Sequence, residues 1–137
     1  MIDALADPDR ALWATAMYAG LRRGELMALR WEDTDLAGGV IRVERSYDPK
    51  EQRFIEPKSK AGTRTVPIAT VLRSYLVSHK LRAQWSEGLV FGRTVSTPFD
   101  GSRLVGRART KWKKAKLAPI TLHESRHTFA SLMIAAP

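Results

Sequence analysis

The 137-residue chain carries 23 basic against 14 acidic residues, a formal charge of +9, with 44% hydrophobic residues and no cysteine. That length fits one domain and the apolar fraction supports a core, while the missing cysteine excludes disulfides and thiolate–zinc sites. No apolar run approaches ~18 residues and the start, MIDALADPDR, has no basic flank with an apolar stretch, so neither a membrane span nor a signal peptide is read; a cytoplasmic location and a polyanionic partner, nucleic acid, are expected.

Asp7-Pro8 reads as a helix N-cap and first helical residue, with Leu12, Trp13, Ala16 and Met17 at helical spacing and Gly20 as the stop. A second helical run extends from Arg23 to Trp31, directing Leu26 and Leu29 to a core, and Gly38-Gly39 breaks it. Three short β-type runs follow, at Val40–Val43, Arg53–Glu56 and Thr65–Ile68, separated by turn-like Asp48-Pro49-Lys50 and Lys60-Ala61-Gly62. Together they predict a small three-stranded antiparallel sheet. Val71, Leu72, Tyr75 and Leu76 restore a helix that fades near Trp85 and Gly88, and Leu89 to Phe91 is a short extended run.

Residues 101–116, GSRLVGRARTKWKKAK, hold seven basic residues and no acidic one. On a helix, Leu104, Ala108, Trp112 and Ala115 form an apolar stripe, and Arg103, Arg107, Lys111 and Lys114 form a cationic one beside it, suited to phosphate backbone. Membrane-surface binding is the weaker alternative because the helix has few large apolar residues. After Pro119, Thr121 and Glu124 have the spacing of a capping box, so TLHESRH opens a helix whose core stripe is Phe129, Leu132 and Met133. His123 and Arg126 then share a face in its first turn, where a helix already favours anions. The fold expected is α+β, mainly α-helical, with one small three-stranded antiparallel sheet.

Three chemistries compete for the crowded TLHESRH stretch. His123 and His127 stand four apart with Glu124 after the first, close to a zinc-binding HExxH helix. Arg126, however, takes the place of a small or apolar residue, and no third ligand is evident, so no metal is expected. No serine elbow or cysteine nucleophile stands out for a hydrolase. Metal-free phosphoryl transfer needs arginines on the nonbridging oxygens and an acid for the leaving oxygen. Arg22, three residues before Glu25 at a helix start, offers a second arginine that Glu25 can hold in place, although an exposed pair of this kind is ordinarily worth under ~1 kcal/mol.

GLRRGELMALRW, EPKSKAGTRTVPI and TLHESRHTFASLMI, in that order, resemble the catalytic domain of the tyrosine recombinases, the phage integrase family, over nearly the whole chain. The resemblance implies a site-specific DNA breaking-and-rejoining enzyme without cofactor or metal. Its partners would be double-stranded DNA and, in the full-length family, other recombinase protomers. Gly20, Leu21, Arg22 and Glu25 match the first arginine motif, and His123 and Arg126 match His-x-x-Arg. Lys58 best fits the family's lysine ahead of Arg64-Thr65-Val66-Pro67, with Lys60 in reserve. By resemblance, Arg22 and Arg126 clamp the scissile phosphate, Lys58 protonates the leaving 5′ oxygen, and His123 hydrogen-bonds the phosphate and helps manage the nucleophile's proton. Glu25 and His127 support them. The family's pattern continues to a further His or Trp and then to the attacking tyrosine, whereas here Tyr18, Tyr47 and Tyr75 all lie in or before the helix that follows the sheet. The expectation is one partial catalytic domain over residues 1–137, without the N-terminal DNA-clamping domain or the tyrosine segment, and inactive alone. A non-catalytic DNA-binding remnant is the competing reading; a basic RNA-binding domain is the third, weakened by the absence of an RNP-type aromatic signature.

Overall fold

The computed structural model describes residues 1–56 and 63–126. Lys58, Lys60 and the turn to Gly62, His127 and the stripe Phe129, Leu132 and Met133 lie outside the described residues.

Helix α1, Asp7–Ala19, is the centre of the core: Leu12, Trp13, Ala14, Thr15, Ala16 and Ala19 are buried. It ends as the sequence predicts, with Gly20 in the left-handed conformation at φ 69°. Its start is shifted by one residue. Ala6 occupies the cap position without a side-chain bond, and Asp7 is already helical, where it pairs with Arg10 at 2.8 Å. Helix α2, Arg23–Ala28, stops well short of Trp31. The chain leaves the helix at Leu29 because the 88–90 segment takes the backbone hydrogen bonds on either side of Arg30: Val90 N–H donates to the Leu29 carbonyl (2.9 Å) and Trp31 N–H to that of Gly88 (2.8 Å). A 3₁₀ turn, Trp31–Asp33, leads into the sheet.

The sheet has three antiparallel strands as expected, but one differs in identity. Strands β1 (Thr34–Asp35), β2 (Val40–Val43) and β5 (Arg64–Pro67) lie in the order β1-β2-β5, with Ile41 opposite Val66. The run at residue 53 instead forms β4, Arg53–Ile55, which pairs with β3, Ser46–Asp48, in a separate two-stranded ribbon. The intervening turn explains this pairing. The Asp48 carboxylate accepts the N–H groups of Lys50 (2.9 Å) and Glu51 (3.4 Å), and Gln52 adopts φ 52°. Such a turn folds the chain straight back onto its immediate neighbour, the contact with the least loop entropy to lose. Tyr47 and Phe54 then meet edge to face across the ribbon at 5.0 Å.

Helix α3, Thr70–Arg82, packs Leu72 and Leu76 against α1. His79 is half-buried, and this desolvation pushes its imidazole below the usual value despite the Nε2 hydrogen bond to the Val90 carbonyl (2.7 Å); that bond fastens the irregular 88–100 segment to α3. Helix α4, Gly101–Lys114, is capped by Asp100, whose carboxylate accepts the N–H groups of Ser102 and Arg103. Leu104, Ala108 and Trp112 are buried as the stripe predicts, and Trp112 meets Trp13 edge-on at 4.9 Å; Ala115, the predicted fourth member, lies beyond the helix and is exposed. Lys116, at φ 61°, ends the segment. The described part of α5 covers residues 122–126.

Candidate functional site

Two chain segments far apart in sequence create the site. The left-handed Gly20 turns the chain out of α1, buried Leu21 anchors it, and Arg22 is left extended at the head of α2 (φ −74°, ψ 160°). The Arg22 N–H donates to Glu25 Oε1 at 2.9 Å. At the other segment, the capping box closes as predicted: Glu124 N–H donates to Thr121 Oγ1 and Thr121 N–H to Glu124 Oε1, both at 3.1 Å. Leu122 and Ser125 are buried beneath α5, which leaves His123 exposed and Arg126 half-buried. Arg126 Nε donates to the Gly20 carbonyl at 3.1 Å, so the start of α5 is tied to the turn that presents Arg22.

Arg22, Arg23, His123 and Arg126, with Val105, Thr121 and Leu122, line one pocket of about 480 Å³. Among the described residues no carboxylate lines it. Three guanidinium groups and an imidazole around a space without acids favour a multiply oxygenated anion, and planar guanidinium can take two phosphate oxygens at once. The sequence thus brings Arg22, His123 and Arg126 together as expected. Arg23 and Val105 are the members it did not single out. Arg23 follows the motif arginine directly, and Val105 is signalled only by its place one turn after Gly101 on α4.

Glu25 acts differently from the expectation. It holds the backbone of Arg22 rather than fixing its side chain, and its carboxylate is gripped by Arg64 of β5 at 2.6 and 2.9 Å. Burial alone pushes the Glu25 carboxyl up, but the hydrogen bonds from Arg64 and the Arg22 amide, with both charges, outweigh it and hold the carboxyl below its usual value. Arg22 also borders a second hollow of about 230 Å³, lined by Glu25, Arg45, Ser46 and Glu56 among others. Glu56 stands two residues before Lys58, which is itself outside the described residues.

The four cations expected on α4 are not gathered at the pocket. Arg107 forms a two-pronged pair with buried Asp9 (2.9 and 3.0 Å) and Arg103 approaches Asp100 at 3.9 Å, while Lys111 and Lys114 are exposed farther along the helix. Periodicity places these four on one flank but cannot reveal an aspartate 98 residues away. No helix among the described residues is long and apolar enough to cross a membrane.

Comparison with known proteins gives a consistent result. Residues 1–136 match the phage integrase family. A prophage integrase, IntR of Escherichia coli (strain K12), is 32% identical over 91% of this chain and 36% of its own length. Among solved structures, XerA recombinase superposes with a TM-score of 0.72 at 27% identity, over 97% of this chain and 45% of that one. The Tn1549 transposon integrase, solved in complex with circular intermediate DNA, superposes with a TM-score of 0.71 at 20% identity, over 90% of this chain and 46% of that one. The chain spans roughly two fifths of the length of the curated relatives it matches.

Proposed function

Because the chain belongs to the phage integrase family, we propose that it provides the phosphate-clamping part of a site-specific recombinase, acting on duplex DNA as one partial catalytic domain over residues 1–137. The observation that carries this reading is the convergence of Arg22 and Arg126, with His123, on a single pocket lined by no acid among the described residues.

In this reading Arg22 and Arg126 bind the nonbridging oxygens of the scissile phosphate. Displacement at phosphorus adds negative charge to those oxygens in the pentacoordinate transition state, and cations fixed in advance stabilise it without reorganising; losing one such group typically costs about 10²–10³-fold in rate. The Arg126 bond to Gly20 and the Glu25 bond to the Arg22 amide supply that fixation. His123 hydrogen-bonds the phosphate and takes part in handling the nucleophile's proton. Lys58, or Lys60 in its place, protonates the 5′ oxygen as its bond to phosphorus breaks, while the bond from a tyrosine oxygen to phosphorus forms. The partners proposed are duplex DNA and further recombinase protomers on it.

None of Tyr18, Tyr47 and Tyr75 lines the pocket. This favours, for the 137-residue chain by itself, binding without cleavage, and it is the observation behind the second reading, a DNA-binding module without catalysis. The Tn1549 integrase, whose complex contains DNA, supports the choice of DNA as partner. Crystals soaked in phosphate or vanadate test the clamp: an anion within hydrogen-bond distance of both Arg22 and Arg126 is expected. Density for an anion elsewhere only, or binding unaffected by Arg22→Ala with Arg126→Ala, overturns it.

A further inference from the structure

The two flanks of α4 differ in how the arginines they carry are partnered. On one flank Arg107 is held by Asp9, Arg103 approaches Asp100, and Leu104 and Arg107 line a separate hollow of about 330 Å³ with His79 and Trp85. On the other flank Val105 reaches the pocket that contains Arg22, His123 and Arg126. From Val105 the next side chains of the same i, i+4 ridge are Arg109 and Lys113, each step advancing about 6 Å along the axis. Both are exposed, and among the described residues neither has an acidic partner. The ridge starts at Gly101, where the missing side chain leaves room for the guanidinium of Arg23. Arg23 is likewise exposed, lines the pocket, and has no carboxylate partner among the described residues.

We propose that Arg23, Arg109 and Lys113 form a track that carries the phosphate backbone of duplex DNA away from the clamp pocket, and that the Arg103–Arg107 flank stays off the DNA. The proposal rests on the clamp reading above and assigns the surface that extends it. Free cations bind phosphates by releasing counterions, an entropic gain open to Arg109 and Lys113. Arg107 has no such freedom, because moving to a phosphate strands the Asp9 carboxylate, which is 7% exposed. The ridge suits a duplex rather than a single strand, since none of Gly101, Val105, Arg109 and Lys113 is an aromatic on which bases stack. It suits DNA rather than a lipid surface, since Val105 is its one apolar side chain of any size.

The test is fluorescence anisotropy of the 137-residue chain with a short labelled duplex over a series of salt concentrations. Arg109→Gln with Lys113→Gln is compared with Arg103→Gln with Lys114→Gln, an equal change of charge on the opposite flank. All four side chains are exposed, and thermal melts verify that both variants stay folded. For the ridge pair the slope of log K against log salt should fall by about two, with affinity down roughly tenfold per lost contact at 0.1 M salt. The slope for the control pair should match that of the wild type. Equal losses in both pairs, or an undiminished ridge pair beside a salt-steep wild type, overturn the track and leave the clamp standing. A wild type that binds no duplex overturns both.

Discussion

Arg64 and Glu25, 39 residues apart, meet through two charge-assisted hydrogen bonds of 2.6 and 2.9 Å. The pair joins the first residue of β5 to the helix start that presents Arg22, and so holds the sheet against the pocket. With its folded-state value lowered, the Glu25 carboxylate contributes stability above the unfolded-chain value near 4.5, and that contribution is lost as pH falls through the lower folded value. Glu25→Gln and Arg64→Gln should each lower stability at neutral pH by about 1 kcal/mol, below the usual range for such bonds because the Arg64 side chain is 38% exposed. Urea midpoints measured from neutral to acid pH should show a shallower acid-side decline in Glu25→Gln; an unchanged decline refutes the assignment.

The Asp9–Arg107 pair fastens α4 to the first turn of α1. Arg107→Ala leaves a buried carboxylate without its partner and should destabilise the fold by roughly 1–2 kcal/mol, discounted for the exposure of Arg107. Thermal denaturation reads this directly. A melting temperature equal to that of the wild type would show that solvent already satisfies Asp9.

At Gly24 an added Cβ meets Ser46 Oγ and the Tyr47 carbonyl, so α2 and β3 approach through this glycine. At Gly101 the atoms nearest to it belong to the guanidinium end of Arg23, which can swing aside. Gly24→Ala should therefore cost about 1–3 kcal/mol. Gly101→Ala should leave the denaturation midpoint nearly unchanged and weaken duplex binding by displacing Arg23. Equal stability losses for the two variants would contradict the steric argument.

The 137-residue chain alone should form no covalent adduct with DNA. The Tyr75 hydroxyl donates to Asp3 at 2.8 Å, which raises its pKa and disfavours a phenolate; Tyr47 packs on Phe54, and Tyr18 lies against the core. An attacking oxygen must sit within about 3.5 Å of phosphorus, and none of the three lines the pocket. Incubation with nicked or phosphorothiolate duplexes and a denaturing gel checks this. A band removed by Tyr18→Phe, Tyr47→Phe or Tyr75→Phe refutes it.

What the sequence made legible was local in origin. Gly20 as a stop and Thr121–Glu124 as a capping box are chemistries of four or five neighbouring residues, and both appear as expected. The apolar stripe of α4 follows from helical period alone. The errors are tertiary. Thr34–Asp35 is too short to give a period, and its membership in the sheet depends on β2 lying alongside. The pairing of Arg107 with Asp9, 98 residues away, is not visible to a periodicity argument. Leu29 and Arg30 left their helix for partners near residue 89. At the site, Arg22, His123 and Arg126 carried motif spacing, whereas Arg23 and Val105 are defined by which surfaces meet.

The hydrogen bond from Arg126 to the Gly20 carbonyl spans 106 residues, and it makes the pocket conditional on the docking of α5 against the turn after α1. Closing a contact with that sequence separation requires the intervening helices and sheet to be in place, so the complete clamp belongs to the packed native state. Anion binding is therefore coupled to the whole native state. A phosphate-type ligand at a hundred times its dissociation constant should raise global stability by about 2.7 kcal/mol rather than protect one helix.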